Sequence, residues 1–323
     1  MFKDGRAVPL VRTIFFSVLT SLLIALGMLF PLLSFWGLLI CPLPLALLGC
    51  REGARWMGAG TFLTETLLLL LSPAISLYFL LGCAPLSLAL FLLAEKRDQW
   101  RWNGGESLFA GLIVSILAKL AILAVFWALT GRNILVPDLT QIEALFGGTS
   151  SLSPDQRLTL QETLRQTAAL LPYMTPSLIL LWSGLEVLVN YQLCERLLRR
   201  RGVDRRPPAL PPFAEWRLPA SLLPAMVLSI ILGFFLDADK WLEAAMFVVN
   251  LRLVLNVLFF IQGISLGLWW MKHRNFRPLI RFLLLLLVLF PLTWIWLIVL
   301  GMGDMAFDIR ARVKQREQQQ GGV

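Results

Sequence analysis

A chain of 323 residues with 58% hydrophobic and 15% charged side chains departs from soluble domains, which average roughly 45–50% and about 25%. A large water-soluble domain is excluded, because runs of about the 20 apolar residues needed to cross a bilayer recur throughout. The net charge of +9 would suggest nucleic acid in a soluble protein, but here the basic residues gather between apolar runs, where membrane orientation needs them. No nucleic-acid partner is expected, and the predicted fold is an all-α polytopic transmembrane helical bundle of eight or nine segments in a lipid bilayer.

Lys3, Arg6 and Arg12 precede the first apolar run, 13–33. That run is too long for a secretory signal and lacks an A-x-A site, so a retained first helix is predicted. Within it Ser17, Ser21 and Ala25 place a small residue at every fourth position, which lets another helix, internal or from a partner membrane protein, approach closely. The next run, "FWGLLICPLPLALLGC" (35–50), is short and carries Pro42 and Pro44. It predicts a broken or re-entrant helix, tolerated only where protein surrounds it. Segments 54–73 and 74–94, divided by little more than Ser72 and Pro73, form a tight hairpin, and 107–130 follows.

In the loop 131–170, Ser153, Pro154 and Gln156 read as an N-cap, a first-turn proline and the far end of a capping box. Leu160, Leu164, Ala168 and Leu171 continue at helical spacing. This predicts an amphipathic helix, either a lid or an interfacial helix, leading into the segment 171–194. "RRRGVDRRPPALPPFAEWR" (199–217) is a basic, proline-rich linker whose arginines suit anionic lipid heads. Segments 218–236, 242–271 and 282–302 bring the number to nine. The predicted organisation is a six-span bundle (1–198), the linker (199–217), C-terminal membrane segments (218–303) and a polar basic tail (304–323).

The basic segments around Arg51 and Arg55, at Lys96, Arg97 and Arg101, from Arg196 to Arg217, and "KHRNFRPLIR" (272–281) all fit a cytoplasmic side shared with the N-terminus in a bacterial inner membrane. The loop 131–170 and "DADK" (237–240) then lie outside. Nine crossings would leave Arg310, Arg312, Lys314 and Arg316 outside as well; one incomplete crossing reduces the count to eight.

Ionisable residues inside membrane segments are candidate functional groups by default. Glu65 and Lys119 lie near the middle of their segments and are expected to meet as a buried pair. Glu186 and Asn190 share one face, and Asn250, Arg252, Asn256 and Gln262 form a polar run. Either these groups hold the bundle together, or they line a pocket for a small solute, with Lys119 or Arg252 meeting an anionic group and Glu65 or Glu186 a cationic one. Cys41, Cys50, Cys83 and Cys194 form no C-x-x-C pair and His273 is the single histidine, so neither a disulfide framework nor a metal site is expected. With no nucleophile paired with a histidine base and no Gly-rich phosphate loop, neither an enzyme nor a cofactor is expected.

The tail "GDMAFDIRAR" follows a glycine-ended last segment, so Gly301, Asp304, Asp308 and Arg310 fall in the pattern Gly-x-x-Asp-x-aromatic-x-Asp-x-Arg. This resembles the C-terminal signature of the YybS-like family of uncharacterised bacterial membrane proteins. Ala306 stands where an aromatic is usual, Phe307 follows it, and Ile309 replaces a common phenylalanine. "FAEWRLP" (213–219) and the polar segment 250–266 fit the same family.

The first six segments are distantly similar to the S components of energy-coupling-factor vitamin transporters, which have six helices and both ends cytoplasmic. That resemblance implies a bound small solute and places Ser17, Ser21 and Ala25 against a coupling-factor subunit. Serine replaces alanine twice here, and the three further segments have no counterpart in S components. No ATP-binding motif occurs, so active transport would need partner subunits. The rival expectation is a membrane scaffold or regulator that recruits cytoplasmic proteins through the linker and tail. From spacing alone, Asp304 and Asp308 share a helix face and Asp308 pairs with Arg312, which gives either a surface helix or a docking surface.

Overall fold

The computed structural model describes residues 7–131, 153–236, 240–280, 286, 288 and 290–320. They are mostly helical, with no β-strand among them, and the chain divides into two compact units: Met1–Pro172 with Leu178–Leu210, and Tyr173–Ser177 with Pro211–Val323.

In unit 1 the order is α1 (Ala7–Leu29), α2 (Pro31–Ile40), α3 (Leu43–Glu52), α4 (Ala54–Leu71), α5 (Pro73–Tyr78), a π-helical turn (Phe79–Cys83), α6 (Ala84–Glu95), α7 (Arg97–Trp100), α8 (Gly104–Thr130) and α9 (Pro154–Arg200). The expected break in the second run is present: α2 stops at Ile40, and α3 starts at Leu43 after Cys41 and Pro42. Three side chains satisfy carbonyls around it. Asn190 Nδ2 donates to Leu39 O at 2.7 Å, Ser87 Oγ to Pro42 O at 2.9 Å and Cys41 Sγ to Leu38 O at 3.2 Å. Protein surrounds the interruption, as irregular backbone at membrane depth requires.

Proline at its first turn begins α5, after an extended Ser72 ends α4, as expected of the hairpin. A reciprocal capping box of Asn103 and Glu106 starts α8. Ser153 and Gln156 form the predicted box, and the helix it opens runs without interruption for 47 residues through the expected span. The linker is extended but anchored within unit 1: Tyr191 Oη donates to Pro208 O at 2.6 Å, and Arg205 pairs with Glu95 at 3.4 Å.

Unit 2 contains a 3₁₀ turn (Phe213–Glu215), α10 (Leu222–Phe235), α11 (Leu242–His273), α12 (Pro291–Phe307) and α13 (Ile309–Gln320). Glycines set the contact of α11 with α12. A Cβ on Gly301 would lie 2.0 Å from Phe259 O, and one on Gly263 2.0 Å from Leu297 O, so these backbones approach closely only because neither residue has a side chain. At Asp308, in the left-handed region with φ 43°, the chain bends by 61° between α12 and α13.

By length and composition, six helices among the described residues are long and apolar enough to span a membrane, or seven if the bent pair α12–α13 is one span. Among the described residues the predicted eight or nine are not reached, for physical reasons. Helix α10 has 14 residues, about 21 Å at 1.5 Å per residue, against a hydrocarbon core of about 30 Å. Helix α4 carries Arg55 and Glu65 within 18 residues. The predicted segment 282–302 begins, and the predicted loops 131–170 and 237–240 largely fall, outside the described residues, as do Lys3 and Arg6.

Candidate functional site

The small-residue stripe of α1 faces inward at its first member. Ser17 is fully buried and donates from Oγ to Gly60 O of α4 at 2.9 Å. Ser21 is half-buried and returns its hydroxyl to Ser17 O at 3.0 Å; Ala25 is half-buried.

The expected Glu65–Lys119 pair does not form. Lys119 on α8 instead pairs with Glu186 on α9, and Ser115, one turn before Lys119, donates to the same Glu186 oxygen at 2.8 Å while accepting from Lys119 Nζ at 2.8 Å. Glu186 is 2% exposed. The pairing follows from helix periodicity: Ser115 and Lys119, four residues apart, reach one carboxylate from the same face. Asn190, one turn beyond Glu186, is also buried and donates to both Glu186 O and Leu39 O at 2.7 Å. The polar group in unit 1 is thus Ser115, Lys119, Glu186 and Asn190, joined to the break between α2 and α3. Cys41 and Cys83 lie beside that break with sulfurs 2.8 Å apart.

Glu65 is left with a different neighbour. Ser76 of α5 donates to its Oε1, whereas its buried Oε2 has no hydrogen-bond partner. The same residue lines a cavity of about 600 Å³ whose other walls include Met57, Thr61, Phe62, Leu88 and Phe91. A carboxylate with an unfilled acceptor in an otherwise apolar cavity is chemically a receptor for a cation or a hydrogen-bond donor.

In unit 2, the predicted polar run is divided among separate tasks. The Asn250 amide accepts from Ser177 N at 3.0 Å and donates to Tyr173 O at 2.7 Å, filling both ends of a backbone pair that spans Pro176. Arg252 donates to Ser229 O at 2.7 Å and lies over Gly233. Asn256 is half-buried and takes no part in these contacts.

Gln262 belongs to the tail: its Nε2 donates to Asp304 Oδ2 at 2.7 Å and its Oε1 accepts from Leu218 N at 3.1 Å. Asp304 and Arg310, 5% and 1% exposed, meet at 3.1 Å. Arg310 also donates to Ala214 O at 2.6 Å and Ser265 Oγ at 3.1 Å. The motif Gly301, Asp304, Asp308 and Arg310 therefore forms a clasp that fastens the bend and the segment Phe213–Trp216 to α11.

Two expectations for the tail are corrected here. Asp308 pairs with Arg217 at 3.0 Å rather than with Arg312, whose guanidinium lies over Phe307. Asp304 and Asp308 do not share a face, because the helix ends between them. Ser115 and Ser265 were not singled out from sequence, and Gln262 only as the last member of the polar run; the four-residue spacing of Ser115 from Lys119 is the signal that identifies the first.

Among the described residues no three His, Cys, Asp or Glu side chains converge to hold a metal ion. No curated protein and no solved structure matches the chain. The family described as "Predicted membrane protein (DUF2232)" matches residues 18–305, a span that holds the whole of unit 1's polar group and the clasp up to Asp304, and the chain belongs to that family of multi-pass membrane proteins.

Proposed function

We propose that the chain is an inner-membrane protein, its N-terminus cytoplasmic, whose first unit binds a small, largely apolar solute bearing a cationic or hydrogen-bond-donating group, as part of a transport system. The observation that carries this reading is Glu65: one carboxylate oxygen without a partner, in a residue lining a cavity of about 600 Å³, within the roughly 300–1,000 Å³ typical of ligand sites. Lys119 and Glu186 neutralise one another and serve as the wall of the bundle. The finer likeness to the YybS-like family rests on the tail motif, and the likeness to S components on the six-segment beginning. If the second holds, coupling-factor subunits are the partners that would supply energy.

The test is thermal stability of the purified protein in mild detergent with a series of alkylamines and the matched alcohols. Amines are expected to raise Tm in the native chain and not in Glu65→Gln. Equal stabilisation of both proteins, or none of either, would sink the reading. Co-purification of a soluble protein that depends on the linker or tail, without amine binding, would move the assignment to a scaffold.

A further inference from the structure

A second cavity, independent of Glu65, lies within unit 2. It encloses about 490 Å³ and is lined by Arg217 from the linker, Lys272 and His273 at the end of α11, Arg310 and Lys314 from α13, and Glu215. Four side chains that are cationic at neutral pH thus face one carboxylate. Two are already engaged: Arg310 is held by Asp304 at 3.1 Å and Arg217 by Asp308 at 3.0 Å. His273 is stacked on Trp269, with ring centroids 4.9 Å apart, and bonded to Glu317 at 2.8 Å. Lys272 and Lys314 are exposed and, among the described residues, form no ion pair.

The wall is therefore held in place by its own ion pairs, while two ammonium groups remain to be matched. An ammonium binds a phosphate oxygen as a point charge. The position suits such a ligand too. Trp269, Trp270 and His273 close α11, and the Arg274 guanidinium lies 5.3 Å over the Trp270 ring. Tryptophan with flanking basic residues at the end of an apolar helix marks the headgroup level of a membrane, where phosphates are concentrated.

We propose that this cavity binds a phosphate group, with Lys272 and Lys314 as its main contacts and the Arg217 guanidinium beside them. The phosphate is either the headgroup of an anionic lipid or a free phosphorylated solute, and binding separates the two. The full chain in neutral detergent would be titrated with a short-chain phosphatidylglycerol, with inorganic phosphate, and with a fatty-acid carboxylate of similar chain length. The measurement is repeated on Lys272→Gln/Lys314→Gln and on Arg200→Gln/Arg201→Gln, which removes equal charge elsewhere.

The lysine pair is expected to weaken phosphatidylglycerol binding at least about tenfold, with the arginine pair near native affinity. Binding of phosphatidylglycerol alone assigns the site to a lipid headgroup. Binding of inorganic phosphate as well, lost in the same variant, assigns it to a free phosphorylated solute. Unchanged affinity in the lysine variant, equal loss in both variants, equal binding of the carboxylate, or no binding of either phosphate probe would overturn the proposal. Both lysines are exposed, and circular dichroism of the variant separates loss of binding from loss of fold.

Discussion

The two units bury charge in opposite ways. In unit 1 the partners Lys119 and Glu186 come from α8 and α9, 67 residues apart, and hold the middle of two long helices together. In unit 2 Asp304 and Arg310 are neighbours in sequence on either side of a bend, and they hold one short stretch of chain against α11. The first arrangement spans a bundle; the second fixes a corner. Unit 1 also keeps a carboxylate oxygen unfilled at Glu65, beside a cavity. Unit 2's clasp also leaves one oxygen, Asp304 Oδ1, without a partner, but the other oxygen of that carboxylate meets arginine and glutamine, and the cavity that Arg310 lines sets four cations against one carboxylate.

The largest effect should come from breaking the long-range pair. Glu186→Leu leaves the Lys119 ammonium in a mostly buried site, where its own carboxylate was the main compensation. Loss of one partner of such a pair costs about 3–5 kcal/mol. Denaturation of the purified protein in mixed micelles should show this loss, and Lys119→Leu/Glu186→Leu should recover most of it. A double variant as damaged as the single would mean that packing around Glu186, not charge, is what the bundle needs.

Unit 2 should respond instead to bulk at its close helix crossing. Gly301→Ala directs a Cβ at Phe259 O, a backbone atom that cannot rotate away, so α11 and α12 must separate. The expected destabilisation is about 1–3 kcal/mol, typical of overpacking. Gly267→Ala on α11 meets nothing within 4 Å and should be close to neutral. Similar losses in both variants would show that the close approach at Gly301 does not control the contact.

This contrast also explains what the sequence could and could not disclose. Helical class, the Pro42 interruption, the Ser72–Pro73 hairpin and the Ser153 capping box were legible because each follows from neighbouring residues and their φ preferences. The partner of Lys119 was not. Two carboxylates at similar depth, Glu65 and Glu186, were both available, and only the arrangement of helices decides between them. Ser76 is close in sequence to Glu65 and fills one oxygen first.

Among the described residues the span count stops at six or seven, because hydropathy alone gives no length once a run such as 218–236 is partly non-helical; the helix there covers Leu222–Phe235. In the tail, the importance of Gly301, Asp304, Asp308 and Arg310 was visible as a pattern, but continuous helical spacing misassigned their contacts. The left-handed Asp308 ends one helix before the next begins.

The smallest effect separates the two arginines that meet the tail's aspartates, Arg310 of the tail and Arg217 of the linker. Arg310 is 1% exposed and reaches Asp304, Ala214 O and Ser265, whereas the Arg217–Asp308 pair has side chains 49% and 56% exposed. Water screens the outer pair, so Arg217→Ala should cost less than about 1 kcal/mol, and the difference from the native chain should shrink further in high salt. Asp308 would still accept from Ala311 N at 3.4 Å, and the corner would keep its Asp304–Arg310 core. A loss from Arg217→Ala as large as that from Glu186→Leu, unchanged by salt, would mean that the linker contact rather than the buried pair fixes the bend, and the clasp would have to be redrawn around Asp308.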